Sequence, residues 1–493
     1  MKKLSRKELG IEDKLPVKVL QFGEGNFLRA FVDYAFQKLN DEANFNAGVA
    51  VVQPLDKGLV KLLSDQDGLY TLFLKGFQKG VEIQKHELIR NVVKAIDPYA
   101  SFDQYLELAR EESLEFVVSN TTEAGIAYLA SDEPDMCPPA SFPGKLTVFL
   151  YERFRHFQGA ADKGLCIIPC ELINYNADVL KDIILQYVSD WNLGEDFKRW
   201  INQHNSFHNT LVDRIVPGYP KDEIEDYNQQ LDYADQLIVT AETFFLWVIE
   251  GDDILRKKLP FERTSLDVKI VDNMQPYRTR KVRILNGAHT AVVPFSILYG
   301  NTLVKETVED QFTGEFIREA VFNEILQTLE MDKAELRKFA EEVFDRFRNP
   351  FIKHQLSSIA LNSISKFKVR VLPSLLEYKK LNNALPVNLT FSFACLLRFY
   401  QGIWMDKKLP VQDDRDILDF FTKVWLAGNI EEVVHKSLKN EALWGQDLSK
   451  VEGLEYMLTM ALEEIMSNGI EEGFSNYKNR VNKAQTDHAE KIN

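Results

Sequence analysis

Val17-Lys18-Val19-Leu20-Gln21-Phe22-Gly23-Glu24-Gly25-Asn26-Phe27-Leu28-Arg29 decides how this chain is read. The first six residues are a short, largely apolar run of the kind that forms a buried strand. Beyond Arg29, the residues Ala30, Phe31, Tyr34, Ala35 and Leu39 recur at helical spacing. Strand, glycine turn and helix, in that order, is the context in which a dinucleotide fingerprint has meaning. Gly23 allows the tight turn. Gly25 lets the backbone close on a pyrophosphate that rests on the helix N-terminus. The third glycine of G-x-G-x-x-G is missing, and Leu28 stands in its place. The degraded pattern leaves two readings open, a dinucleotide site and an ordinary strand-to-helix turn.

Outward from this run, Gly48-Val49-Ala50-Val51-Val52 reads as the next strand. An acid that binds the adenosine ribose commonly ends it. Here Gln53 is at that place and Asp56 follows three residues on, so this position does not separate NAD from NADP. A helical pattern over 103–110 precedes a further strand, Leu114-Glu115-Phe116-Val117-Val118. That strand runs into Ser119-Asn120-Thr121-Thr122-Glu123-Ala124-Gly125, polar residues where an open α/β sheet places its ligand. Cys166-Ile167-Ile168-Pro169-Cys170 is another strand, followed by a helix over about 177–192. Leu237-Ile238-Val239-Thr240 and Val268-Lys269-Ile270-Val271 are short strands, and Phe245-Leu246-Trp247-Val248-Ile249 is apolar but ambiguous. Asp213 beside Arg214 reads either as a functional pair or as a plain surface pair.

From about residue 279 the periodicity changes. Leu336, Phe339, Ala340, Val343, Phe344 and Phe347 follow helical spacing, with Asp332 and Glu335 placed as a capping box. Helical patterns continue over 356–364, 372–380, 391–404, 417–425 and 454–466, and strand patterns are scarce. The expectation is an α/β, Rossmann-type dinucleotide-binding domain over 1–272, followed by a mostly α-helical domain over 273–493.

Arg280-Lys281-Val282-Arg283-Ile284-Leu285-Asn286-Gly287-Ala288-His289-Thr290 opens the helical part, and domain boundaries commonly hold ligands. On an α-helical wheel Lys281, Asn286 and His289 share one sector, at roughly 0°, 140° and 80°. A lysine exchanges protons near neutral pH if burial among positive groups lowers its pKa. An asparagine amide is a neutral donor to an oxygen gaining negative charge, and an imidazole can orient a hydroxyl. The set suits a ketone that becomes an alcohol, or the reverse. The blander alternative is solvated basic residues at a helix start and a core histidine. Lys366, Lys368 and Arg370 form a second basic group, read either as a receptor for an anionic substrate or as a charged surface.

Composition bounds the function. Of 493 residues, 45% are hydrophobic and 27% charged, as in an ordinary globular protein. The net charge of −15 argues against a nucleic-acid backbone as the main partner. No apolar run reaches the length of a membrane span. Met1-Lys2-Lys3 leads into polar residues, so no secretory signal is expected. The four cysteines show no zinc or disulfide spacing, so no metal is expected and the expected compartment is the reducing cytoplasm.

Taken together, Gly23-x-Gly25-x-Phe27-x-Arg29-Ala30, Thr122-Glu123-Ala124-Gly125, Val212-Asp213-Arg214-Ile215-x-Pro217 and Lys281-x4-Asn286-x2-His289 resemble the long-chain polyol dehydrogenase family. That family includes mannitol 2-dehydrogenase and the hexuronate-pathway reductases. The likeness covers nearly the whole chain. The run 21–31 and the run 346–355 look most like the branch that interconverts tagaturonate and altronate. The resemblance implies an NAD-dependent, metal-free oxidoreductase acting on a keto-uronate or aldonate. It implies that Lys281 is the general acid/base and that Asn286 and Asn176 donate to the reacting oxygen. His289 would orient the substrate, with Asp213, Lys366 and Arg370 contacting it. The cofactor would lie against Leu20, Gln21, Phe22, Gly23, Glu24, Gly25, Asn26, Phe27, Leu28 and Arg29, together with Gln53, Asn120, Thr121 and Glu123. Ser358 stands where the polyol enzymes carry an arginine, which points away from a neutral polyol. The same chemistry on fructuronate or fructose is the near alternative, and a non-catalytic nucleotide-binding sensor is the alternative of another class.

Overall fold

A computed structural model describes residues 2–12, 15–122 and 124–492, the side chains of 427 and 485–492 excepted. It divides into two compact units, Met1–Gln275 and Pro276–Asn493.

The first unit is built on a six-stranded sheet of β1 (Val17–Phe22), β2 (Gly48–Val52), β3 (Val92–Ile96), β4 (Phe116–Ser119), β5 (Cys166–Pro169) and β6 (Ser206–Phe207). Their spatial order is β3-β2-β1-β4-β5-β6 and every pair is parallel. This is the dinucleotide-binding topology, and its order reverses between β1 and β4. Side chains alternate across β1. Val19 enters a core on one face with Phe31, Phe36 and Trp247. Leu20 and Phe22 enter a core on the other with Tyr105, Phe149 and Trp200. Helix α1 (Asn26–Ala43) covers the first face, burying Ala30, Phe31, Val32, Tyr34, Ala35, Phe36 and Leu39.

The unit also holds two smaller sheets. In one, Leu246–Glu250 lies between Thr210–Asp213 and Val268–Val271, so the ambiguous apolar run is a strand, with Trp247 fully buried. In the other, Tyr70–Gln78 and Val81–Ile89 form a hairpin joined by Val239–Glu242. The sequence reading contained no hairpin there. Its turn, Lys79-Gly80, has both residues in the left-handed region, at φ 53° and 75°. That geometry matches the twist of a two-residue hairpin loop.

The second unit is helical, with only the two-residue pairing Ile403–Trp404 with Lys407–Lys408 named inside it among the described residues. Gly287–Tyr299 and Val387–Phe399 are buried along nearly their whole lengths. Phe295 stacks on Phe316 at 3.9 Å and meets Phe391 edge-on, and Phe391 meets Phe474. The expected 356–364 helix is two pieces, Leu356–Ile359 and Ser363–Arg370, separated where Asn362 takes φ 53°. Asp332 caps Lys333–Phe347 as expected, accepting from the Glu335 N–H at 2.9 Å. The Glu335 carboxylate also accepts from buried Arg280 at 2.8 Å. No helix among the described residues is long and apolar enough to cross a membrane.

Candidate active site

In the first unit a cavity of about 430 Å³ opens where the strand order reverses. Gly23, Glu24 and Gly25 form one wall, Asn120, Thr121 and Thr122 another, and Pro54, Leu55 and Phe142 close it further. Gly23 has φ 120°, and a Cβ there would lie 2.8 Å from Leu28 Cδ1 and 3.2 Å from the Asn120 carbonyl oxygen. Leu28 therefore occupies the space Gly23 leaves, which accounts for the absent third glycine. Gly25 precedes the first turn of α1, no side chain caps that turn, and a Cβ on Gly25 would meet nothing within 4 Å.

Buried side chains hold this turn in place. Gln21 Nε2 donates to the Gly23 carbonyl at 3.0 Å. Arg29 donates to the Glu24 carbonyl at 3.1 Å, to Asn26 Oδ1 at 2.7 Å and to the Leu237 carbonyl. Tyr70 donates to the Arg29 carbonyl and to Asp33 Oδ2. Leu20, Gln21, Phe22, Leu28 and Arg29 are at most 1% exposed, so their side chains are committed to the core and to the turn. Asn26 and Phe27 are half-buried, Phe27 stacking on Phe31 at 4.9 Å. Gln53 is buried and donates to the Leu55 carbonyl at 2.9 Å. Glu123 lies outside the described residues.

The second wall hangs from an acid that the sequence reading did not single out as a site residue. Glu171, just past β5, accepts from the Thr121 N–H and hydroxyl at 2.9 and 3.0 Å, and from Ser119 Oγ at 3.1 Å. Burial pushes its carboxyl up and those bonds oppose the shift. Asn120 Nδ2 donates to the Cys170 carbonyl at 2.7 Å. Asn176 is wholly buried, its amide facing the carbonyls of Pro169 and Glu171 and Thr210 Oγ1, while its oxygen accepts from the Thr210 and Ala177 N–H groups. Its two N–H bonds thus have three acceptors around them, and they tie the turn that carries Glu171 to Thr210.

Asp213 ends the strand Thr210–Asp213 and is buried. Arg214 is not a surface partner either. It donates to the Glu242 and Ala30 carbonyls, lies over the rings of Tyr34 and Phe245, and burial lowers its pKa to about 10.

In the second unit Lys281–Asn286 is a π-helix that continues as the α-helix Gly287–Tyr299. The α-helical wheel is thereby corrected. A π-turn closes its hydrogen bonds five residues on, so the angle of about 140° between Lys281 and Asn286 narrows. The last turn of Ser363–Arg370 packs against this helix: a Cβ on Gly287 would lie 3.0 Å from the Arg370 carbonyl oxygen. Arg370 Nη1 reaches Thr290 Oγ1 at 3.4 Å, and Lys366, one turn earlier, donates to the Ile359 carbonyl at 2.9 Å. Lys368 points elsewhere, its Nζ 3.2 Å from the Cβ position of Gly445.

His289 stacks on Phe347 with centroids 4.2 Å apart and meets His354 edge-on at 5.9 Å. Its Nε2 is shut off from solvent and has no hydrogen-bond partner. Burial first, then His354, Arg346 and Arg370, lower its pKa to about 3, and burial and Arg346 lower that of His354. Lys366 is lowered by burial and by Arg370, with Asp413 opposing. Two neutral imidazoles thus sit by Arg346, with Arg370 also acting on His289 and Lys366 next to Arg370. Arg346 and His354 were not among the expected site residues. Among the described residues no group of three or more His, Cys, Asp or Glu is placed to hold a metal.

Known proteins share this organisation. Residues 17–263 match the mannitol dehydrogenase Rossmann domain and residues 273–466 the mannitol dehydrogenase C-terminal domain. An altronate oxidoreductase of Bacillus subtilis is 45% identical over 479 residues, covering 97% of this chain and 98% of the relative. One of Yersinia enterocolitica is 45% identical over 468 residues, covering 94% and 97%. A crystal structure of D-sorbitol dehydrogenase in substrate-free form aligns with a TM-score of 0.78 at 19% identity, over 96% of this chain and 100% of the other. The Pseudomonas fluorescens mannitol 2-dehydrogenase ternary complex with NAD and D-mannitol aligns at 0.64, also at 19% identity, over 96% and 99%. At that identity the two structures speak for the fold. By the two domain matches and the full-length relatives, the chain belongs to the mannitol dehydrogenase family and is an oxidoreductase acting on CH–OH groups.

Proposed function

We propose that the protein transfers hydride reversibly between a nicotinamide dinucleotide and a keto-uronate, reducing D-tagaturonate to D-altronate with NADH during hexuronate catabolism in the cytoplasm. The positive charge gathered around His289 carries this reading. Arg346 and Arg370 act on His289 and Lys366 lies beside Arg370, a setting suited to a sugar carboxylate and wasted on a neutral polyol. The altronate oxidoreductase relatives supply the substrate's name.

The first unit fits the cofactor. The uncapped start of α1 faces a cavity at the switch point, and open space lies where Gly25 lacks a side chain. Backbone N–H groups at such a helix start suit a pyrophosphate. When bound, the dinucleotide supplies the hydride donor and acceptor at its nicotinamide.

The chain's own groups do the rest. Lys281, as an ammonium, gives its proton to the ketone oxygen in reduction and recovers it in oxidation. The Asn286 amide donates to that oxygen as charge builds on it, an interaction worth about 3 to 4 kcal/mol. Neutral His289 offers Nε2 to a neighbouring substrate hydroxyl. Arg370 and Lys366 take the carboxylate, and Asp213 contacts the sugar. Loss of NADH absorbance with tagaturonate, fructuronate and fructose side by side tests the assignment. Tagaturonate is expected to be fastest and uncharged fructose poor. Equal turnover of fructose would remove the carboxylate from the reading.

A further inference from the structure

The position that usually selects the dinucleotide is not acidic here, and the structure shows what stands nearby instead. At the end of β2, Gln53 turns its amide onto the Leu55 carbonyl at 2.9 Å. Asp56 and Lys57 are both exposed in the loop that follows. The acid in this corner comes from the glycine turn. Glu24 is 8% exposed and lines the cavity. Its Oε1 accepts from the Leu59 N–H at 3.3 Å, so it reaches across to the loop after β2. Its Oε2 is buried without any partner. Gly58 keeps the place open: a Cβ there would fall 2.0 Å from Glu24 Oε1 and 2.6 Å from Gln53 Oε1.

A buried carboxylate oxygen without a donor is costly, and such groups in native folds have a reason. A vicinal diol supplies what this one lacks, two O–H donors to a carboxylate. A phosphate ester in the same place brings negative charge against negative charge. Resting on the dinucleotide reading above, we infer that Glu24, contributed by the glycine turn, takes the place of the missing acid at the end of β2. It accepts from the adenosine ribose diol and selects NAD(H) over NADP(H). Exposed Lys57, the cation best placed by sequence to receive a 2′-phosphate, does not set the preference.

Isothermal titration of the full chain with NADH and with NADPH tests this without reference to turnover. The wild type is expected to bind NADH at least about tenfold more tightly, the worth of one charged hydrogen bond. Glu24→Gln should lose about tenfold in NADH affinity and narrow the NADH-to-NADPH ratio, while Lys57→Ala leaves that ratio unchanged. If Glu24→Gln does not fold, Gly58→Ala carries the test, because it displaces the carboxylate while keeping the charge. An unmoved ratio in the folded variant, or a wild type that prefers NADPH, overturns the inference and leaves dinucleotide binding standing. A wild type that binds neither nucleotide overturns the dinucleotide reading and this inference with it.

Discussion

The glycine turn of the first unit and the π-turn of the second are built on opposite principles. Around Gly23 the polar side chains of Gln21, Arg29 and Asn120 are spent largely on backbone carbonyls. Around His289 charged side chains act on one another: Arg346 and Arg370 beside a depressed imidazole, Arg346 beside a second, and Lys366 next to Arg370. Main-chain N–H groups at the glycine turn suit what every dinucleotide shares, and Glu24 is the side chain there that chooses between dinucleotides. Side-chain charge gathered around His289 chooses a class of substrate. Removing side chains should therefore act on chemistry and substrate choice in the second unit and, Glu24 apart, on geometry in the first.

The largest effect is expected at the π-turn. Lys281→Ala should lower kcat by about 10²- to 10⁴-fold, the usual scale for a lost general acid. NADH affinity, read by titration, should stay within about twofold, because the turn that would carry the nucleotide lies in the other unit. A turnover within a few-fold of wild type would take Lys281 out of the reaction.

Next comes the backbone. At Gly23, with φ 120°, an alanine is strained and its Cβ meets Leu28 at 2.8 Å. Gly23→Ala should cost about 1 to 3 kcal/mol of stability, read as a lower urea midpoint at unchanged m. It should also weaken NADH binding more than it raises KM for the uronate. The reverse order would mean the two sites are not separable in this way.

Arg370→Gln sharpens the comparison from the charged side. It should raise KM for tagaturonate by about tenfold or more, in keeping with one lost charge-assisted bond, and change kcat less. NADH affinity should not move. Equal KM in the variant and the wild type would make the basic group a structural feature of the helix end.

How much of this was legible follows the same division. The strand–turn–helix of 17–43 and the parallel sheet could be read because local spacing encodes them. The hairpin at 70–89 was missed, since only Lys79-Gly80 marks it and its outer strand, from Val81 to Ile89, is mostly polar. Lys281, Asn286 and His289 were visible as a set, but their angular relation was not, because nothing in the pattern separates a π-turn from an α-turn. Asn176 was visible but its setting was not, because only coordinates show its amide surrounded by Pro169, Glu171 and Thr210. Arg346 and His354 join the site through contacts across the chain, which leave no periodic trace.

The smallest effect concerns stability rather than chemistry. Asp33, beneath the glycine turn, accepts from Tyr70 at 2.7 Å, while its Oδ1 and Gln21 Oε1 are buried without partners. Burial raises its pKa to about 7, with Tyr70, Arg29 and Gln21 opposing. A carboxyl raised above its unfolded value of 3.8 contributes stability that is fully present below that value and is lost as pH rises through about 7. His289 behaves oppositely: lowered to about 3, it contributes stability present above 6.5 and lost as pH falls toward 3. Asp33→Asn keeps an acceptor for Tyr70 and gives Gln21 Oε1 a donor, so it should flatten the decline in Tm between about pH 4 and 7, by on the order of a few degrees. Glu324 in the second unit, raised from 4.5 to about 8 by burial, adds a decline of the same sign that overlaps this one and runs on to about pH 8. The Asp33→Asn curve should therefore be shallower up to about pH 7 and keep the slope that Glu324 contributes beyond it. A slope unchanged below about pH 7 would take Asp33 out of the titration.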